Sequence, residues 1–179
     1  MRPRSLRSAF ALLVRALLVA GVAGVACAPG AGALEPELAR DERAARARSA
    51  HALLDAWHEA AARGDEASYF GAFAPEGVFL GTDAGERWDV AAFRAYAHPH
   101  FARGKAWAFR AERRTVTLGD GARVAWFDER LATEKLGPAR GSGVLLWRDG
   151  GWCIAQYNLG LTIPNERFEA VRDLLAAPP

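Results

Sequence analysis

Residues 140–164 read RGSGVLLWRDGGWCIAQYNLGLTIP, and the fold turns on how they pair. Two runs of β-favouring residues flank Asp149-Gly150-Gly151, and Asp-Gly between such runs predicts a hairpin with a tight turn. Period-2 alternation places Trp152, Ile154, Gln156 and Asn158 on one face of the second strand. That face is apolar at one end and amide-bearing at the other, the character of a small pocket wall, although a plain core face reads similarly.

Upstream, Gly119-Asp120-Gly121 joins two further predicted strands over residues 107–118 and 123–134. In the second, Val124, Trp126 and Asp128 share one face, and Ala125, Phe127 and Glu129 share the other. The Ala-rich stretch 35–63 predicts a helix, with Ala47, Ala50, Leu54, Trp57 and Ala61 along one stripe. Its charged first turns, within a helical extension over 34–48, are expected to reach past the body. Gly64 closes this helix, and Asp65 caps a second one running to Phe73, which Pro75 ends. Residues 78–80 form a short buried strand, followed by the turn-rich loop GTDAGERW at 81–88. Asp89 caps a third helix that buries Val90, Phe93 and Ala97, with Pro99 kinking or ending it. Pro164 opens a C-terminal helix in the segment 166–179, with Phe168, Val171 and Leu175 on one face. A run of hairpin-linked strands with helices before and after it predicts an α+β domain: a curved antiparallel sheet with helices on one side.

The chain has 179 residues, of which 51% are hydrophobic and 25% charged, the balance of one globular domain. Residues 1–33 hold Arg2, Arg4, Arg7 and Arg15, no acid, and an apolar run from Ala16 to Ala26. With Ala31-Gly32-Ala33 as a cleavage pattern, this segment predicts a secretory signal peptide and a mature start at Leu34. A second reading makes Cys27, behind Gly24-Val25-Ala26, the lipid-anchored N-terminus of a lipoprotein. An uncleaved anchor is a third, against which the short apolar run argues. Taking the four arginines from the 23 basic residues leaves 19 against 21 acids, so the body gives no electrostatic case for nucleic acid. Cys153 then has no intrachain partner and is expected to be a buried, inert thiol.

The spaced motifs GTDAGERW (81–88), WFDE (126–129), RGSGVLLWRDGGWCIAQYNLG (140–160) and IPN (163–165) resemble the SnoaL-like branch of the nuclear-transport-factor-2-like superfamily. The resemblance covers about residues 49–165. It implies a cone-shaped barrel whose sheet wraps a long N-terminal helix around a deep pocket. It is also distantly similar to the association domain of calcium/calmodulin-dependent kinases, which oligomerises. Such folds host isomerases, cyclases, dehydratases and non-catalytic binders, so the fold alone gives no function. Relatives commonly read QYHLS where this chain reads Gln156-Tyr157-Asn158-Leu159-Gly160. An amide at Asn158 cannot exchange protons near neutral pH, which excludes a histidine-based role there.

Trp57, Tyr69, Trp88, Trp126, Gln156 and Asn158 are the expected pocket residues. Asp128 is the candidate general base, being a carboxylate beside an aromatic wall; a purely structural ion pair with Arg140 is the competing reading. Arg140 either holds a ligand carboxylate at the mouth or is a surface residue, its neighbouring glycines allowing close backbone approach. Asp83 and Glu86 are expected to shape a turn. His51 and His58 lie seven apart, and His98 and His100 flank Pro99, so no metal-ligand spacing arises and no cofactor is expected. His58 beside Trp57 can reach the pocket, although a solvated helix histidine is the more common case. The first reading of function is an exported small-molecule-binding or accessory domain. The alternatives are a lyase or isomerase using Asp128 as base, and a homodimer formed through an open sheet face.

Overall fold

The computed structural model describes residues 38–176, so the predicted signal peptide and Cys27 lie outside the described residues. In chain order the elements are α1 (Arg40–Arg63), α2 (Glu66–Gly71), β1 (Phe73–Leu80), β2 (Arg87–Asp89), α3 (Val90–Phe101), β3 (Phe109–Leu118), β4 (Val124–Thr133), β5 (Ala139–Arg148), β6 (Gly151–Leu161) and α4 (Phe168–Ala176). Asp149 and Gly150 have φ of 50° and 81° and join β5 to β6 in the primed turn that their chemistry favours. The strand order is β2-β1-β6-β5-β4-β3. The sheet is open and mixed rather than wholly antiparallel, because β1 runs parallel to β6.

α1 lies in the concavity and buries Ala50, Leu54, Trp57, Ala60 and Ala61 against the sheet. Full burial of a side chain such as Leu54 stabilises by roughly 1.5–3 kcal/mol. Gly64 ends the helix in the left-handed conformation, its N–H reaching the Ala60 and Ala61 carbonyls. The first turns of α1 are docked rather than extended past the body. Arg43 donates to the Leu118 and Gly119 carbonyls, Arg46 to the Ala122 carbonyl, and Trp152 Nε1 donates to the Arg46 carbonyl.

The Asp65 and Asp89 caps form, accepting from the Ser68 and Ala92 N–H groups. α2 stops at Gly71, however, and Phe73 and Pro75 belong to β1. Pro99 sits inside α3, which continues to Phe101. No helix among the described residues is long and apolar enough to cross a membrane.

Two bulges decide which side chains point inward. In β6, Val144 pairs with Gln156 and Leu145 with Ile154, so Ala155 is an extra residue. The insertion resets the alternation. Trp152 and Ile154 before it, and Tyr157 and Leu159 after it, are all buried. Gln156 and Asn158 therefore face the outer surface and do not share a face with Trp152 and Ile154. In β3, Ala111 pairs with Leu131 and Arg113 with Arg130, making Glu112 the extra residue and turning Arg114 inward.

Candidate functional site

Five of the seven residues expected to line a pocket with Trp88 and Tyr69 lie elsewhere than a cavity wall. β4 alternates as expected, but its core face is Ala125, Phe127, Glu129 and Leu131. Trp126 is 51% exposed and Asp128 is exposed on the outer face, with Arg140, Gln156 and the half-buried Asn158. Asp128 thus has no aromatic enclosure to raise its pKa, and it makes no ion pair with Arg140 among the described residues. Trp57 and Tyr69 are buried in the core, their rings stacked at 4.7 Å. Trp88 alone among the expected residues lines the cavity.

That cavity has a volume of about 740 Å³ and opens between α3 and the end of the sheet. One wall is a chain of rings. Trp88 stacks on Tyr96 with centroids 5.2 Å apart, Tyr96 meets His100 at 5.9 Å, and His100 meets Trp107 at 6.3 Å. Phe79, Phe93, Phe109 and Leu159 form its apolar floor. Polar groups sit around it, among them Thr82, Glu86, Thr133, Arg103, Lys105 and Lys135.

Local sequence explains these positions. The GTDAGERW loop folds on itself as expected, with Gly85 N–H donating to Asp83 Oδ1 at 2.7 Å and Asp83 N–H to Glu86 Oε2 at 3.2 Å. A side chain at Gly81 would collide with the Glu86 carboxylate, so the glycine keeps that loop closed. Ala106 N–H donates to the Ala61 carbonyl, pinning the Arg103–Ala108 segment, and with it Trp107, to the end of α1. Arg103 donates to His100 Nδ1 at 2.8 Å. An accepting Nδ1 leaves the proton on Nε2, so His100 is a neutral hydrogen-bond donor at Nε2.

One ring deeper lies a polar cluster that the sequence reading placed wrongly or missed. Glu129 is fully buried. Its Oε1 is 2.7 Å from His58 Nε2 and accepts from the Tyr157 hydroxyl at 2.9 Å, while its Oε2 accepts from Arg114 Nε at 2.6 Å. Arg114 also donates to Asp55 Oδ1 at 2.7 Å and to the His51 carbonyl. Burial pushes the Glu129 carboxyl up, but the His58 hydrogen bond and charge, and then Arg114, outweigh it and hold the group below its usual value. Burial, helped by the Glu129 charge, pushes the Tyr157 phenol well above its usual value.

His58 is buried, not solvated. Its position between Leu54 and Ala61, four and three residues away on the stripe of α1, was the available signal. The glycines of RGSG have a steric reason. A Cβ at Gly141 would lie 2.1 Å from the Tyr157 hydroxyl, and one at Gly143 would lie 2.1 Å from the Gln156 carbonyl. Cys153 is half-buried rather than fully buried. Its thiol donates to the Leu146 carbonyl, and burial raises its pKa.

The cluster and the cavity are separated by aromatic rings that belong to both. Phe109 meets His58 edge-on at 6.2 Å, and Trp107 meets Tyr69 edge-on at 5.5 Å. Trp57 Nε1, His58 Nδ1, the Tyr69 hydroxyl and one Arg114 terminal nitrogen make no hydrogen bond within the protein. Among the described residues no group of three or more His, Cys, Asp or Glu side chains is placed to hold a metal ion. The arrangement can therefore sandwich a planar apolar group in the cavity and offer it hydrogen bonds at the rim.

Comparison with solved structures gives the same architecture. An NTF2-like protein from Pseudomonas putida is 14% identical, with a TM-score of 0.56 over 69% of this chain and 91% of that one. A protein from Novosphingobium aromaticivorans, provisionally named a scytalone dehydratase, is 10% identical with a TM-score of 0.58, over 69% and 88% of the two chains. One from Xanthomonas campestris, provisionally named a calcium/calmodulin-dependent kinase II association domain, is 26% identical with a TM-score of 0.50, over 66% and 88%. No curated protein matches the chain. The profile of the SnoaL-like domain matches residues 50–164, which contain the whole sheet and most of α1. The chain belongs to the SnoaL-like domain family of the nuclear-transport-factor-2-like superfamily.

Proposed function

We propose that this protein is an exported small-molecule-binding domain whose ligand occupies the cavity beside α3. The observation that carries the reading is the ring wall Trp88–Tyr96–His100–Trp107 on a cavity of about 740 Å³, a volume suited to a drug-sized organic molecule. Aromatic faces favour a flat, conjugated ligand body. The His100 Nε2–H and the rim cations Arg103, Lys105 and Lys135 favour an acceptor or anionic group at its edge. Export is supported by the arginines, apolar run and Ala-x-Ala pattern of residues 1–33. Asp128 does not enter this reading, because it lies on the exposed outer face.

The test is native mass spectrometry of the protein purified from its own host, followed by a denatured spectrum. A small molecule present in the first and lost in the second is expected, and Trp88→Ala and Trp107→Ala should each lose it while Trp126→Ala keeps it. Retention by both cavity variants would place the ligand elsewhere and overturn the assignment. The denatured mass reads the N-terminus as well: a start at Leu34 supports free export, and an acylated Cys27 replaces it with a lipid anchor.

A further inference from the structure

The outer face of the sheet carries an arrangement that folding does not account for. Arg113 pairs in register with Arg130, and Arg130 with Arg140, so three exposed arginines stand side by side across β3, β4 and β5. Like charges directly opposite one another on a sheet face destabilise it. Glu112 bonds Arg130 at 2.9 Å, but Arg113 and Arg140 have no ion-pair partner among the described residues. Arg110 adds a fourth cation to the same face, and Asp128 is the other acid there. The surroundings include Trp126, 51% exposed, and Leu161, 52% exposed.

α4 has the complementary problem. None of its residues is buried, and Phe168, Leu174 and Leu175 are exposed to 60%, 74% and 79%. Phe168, Val171 and Leu175 form one apolar stripe at helical spacing, which a helix in water needs to cover. Glu166, Glu169 and Asp173 lie on or just before this helix. Asp173 is bonded by Arg172, whereas Glu166 and Glu169 have no ion-pair partner among the described residues.

We infer that α4 of one copy docks on the arginine row of a second copy, and that the symmetric exchange of the two helices forms a homodimer. The charges are opposite in sign. The spans also agree: the outer arginines are two strand spacings apart, about 10 Å, and Glu166 to Asp173 covers about 10 Å along a helix. The apolar stripe then has Trp126 and Leu161 as its seat. Each copy carries both halves of the contact, so a single two-fold axis satisfies both helices and closes the assembly.

Light scattering with sedimentation velocity on the mature protein at micromolar concentration tests the inference. The wild type should be a dimer. Arg113→Glu/Arg140→Glu should raise the dimer dissociation constant by tenfold or more, and Glu166→Arg/Glu169→Arg should do the same. Combining all four reversals should restore most of the affinity, which a merely structural role for either set would not do. Phe168→Ser/Leu175→Ser changes only exposed side chains and should give a folded monomer, so the inference stays testable if a charge variant fails to fold. A monomeric wild type would overturn it, including one whose α4 is protected from hydrogen exchange by folding onto its own sheet. So would a dimer that survives both α4 variants, or charge reversals that do not rescue each other.

Discussion

Glu129→Gln removes one negative charge from the centre of the domain while keeping the volume of the side chain. The carboxylate now receives three contacts, from His58 at 2.7 Å, Tyr157 at 2.9 Å and Arg114 at 2.6 Å, and it is an acceptor at both oxygens. A glutamine amide offers one acceptor and one donor. If its oxygen serves His58 and Tyr157, its NH₂ faces the Arg114 Nε–H, donor against donor. If it flips, the NH₂ faces the Tyr157 hydroxyl and His58. Either way a charge-assisted bond is lost and Arg114, with only 5% of its side chain exposed, keeps Asp55 as its single carboxylate partner. Breaking a buried pair from one side costs about 3–5 kcal/mol. The retained Asp55 contact, at 70% exposure of that aspartate, places the expectation near the lower end, about 3 kcal/mol. Urea unfolding followed by tryptophan fluorescence measures this directly, since Trp57 sits 4.5 Å from the Tyr157 ring. Adding Arg114→Met should recover at least about 1 kcal/mol, because the stranded charge is then gone. A single-variant loss under about 1 kcal/mol would refute the argument, as would a double variant no more stable than the single.

Three further outcomes are expected. Because the folded Glu129 pKa lies below the usual 4.5, its contribution is fully present above that value and fades as pH falls through the folded pKa. Urea midpoints of the wild type should therefore drop below pH 4.5 more steeply than those of Glu129→Gln; parallel curves would count against it. Gly141→Ala drives a methyl group into the Tyr157 hydroxyl and should cost about 2–4 kcal/mol in the same assay. Gly160→Ala, where a Cβ meets nothing within 4 Å, should change stability by no more than about 0.5 kcal/mol. Gln156→Ala and Asn158→Ala should leave ligand retention unchanged, and loss of ligand in either would return those amides to the pocket.

The parts of the fold that were legible are those fixed by short-range chemistry. Asp149-Gly150 needs positive φ at two successive residues, and few other pairs accept it. Asp65, Asp89 and Gly64 declare helix ends through one hydrogen bond or one backbone region each. The site was less legible because strand alternation defines two faces without saying which meets the helix. In β4 the bulk of Trp126 suggested the wrong one. The correct one was implied by β5, whose inward positions Ala139, Gly141 and Gly143 are small enough to admit Phe127, Glu129 and Tyr157. The bulges at Glu112 and Ala155 have no composition signal, yet they turned Arg114 and Tyr157 onto Glu129. The cavity escaped notice because its wall is assembled from α3 and two loops, and their proximity depends on long-range packing.

Ala155 has a consequence for comparing this chain with its relatives. Upstream of it even-numbered residues of β6 face the interior, and downstream odd-numbered ones do. A relative lacking one residue here keeps the same interior only if the gap is placed at position 155; a gap two residues later would match Tyr157 to an outward side chain. Residue-by-residue transfer of roles along the QYNLG stretch is therefore meaningful only after the bulge has been located in both proteins. The same mark guides engineering: deleting Ala155 should turn the strand inside out beyond that point, exporting Tyr157 and Leu159 and bringing two amides into the cone.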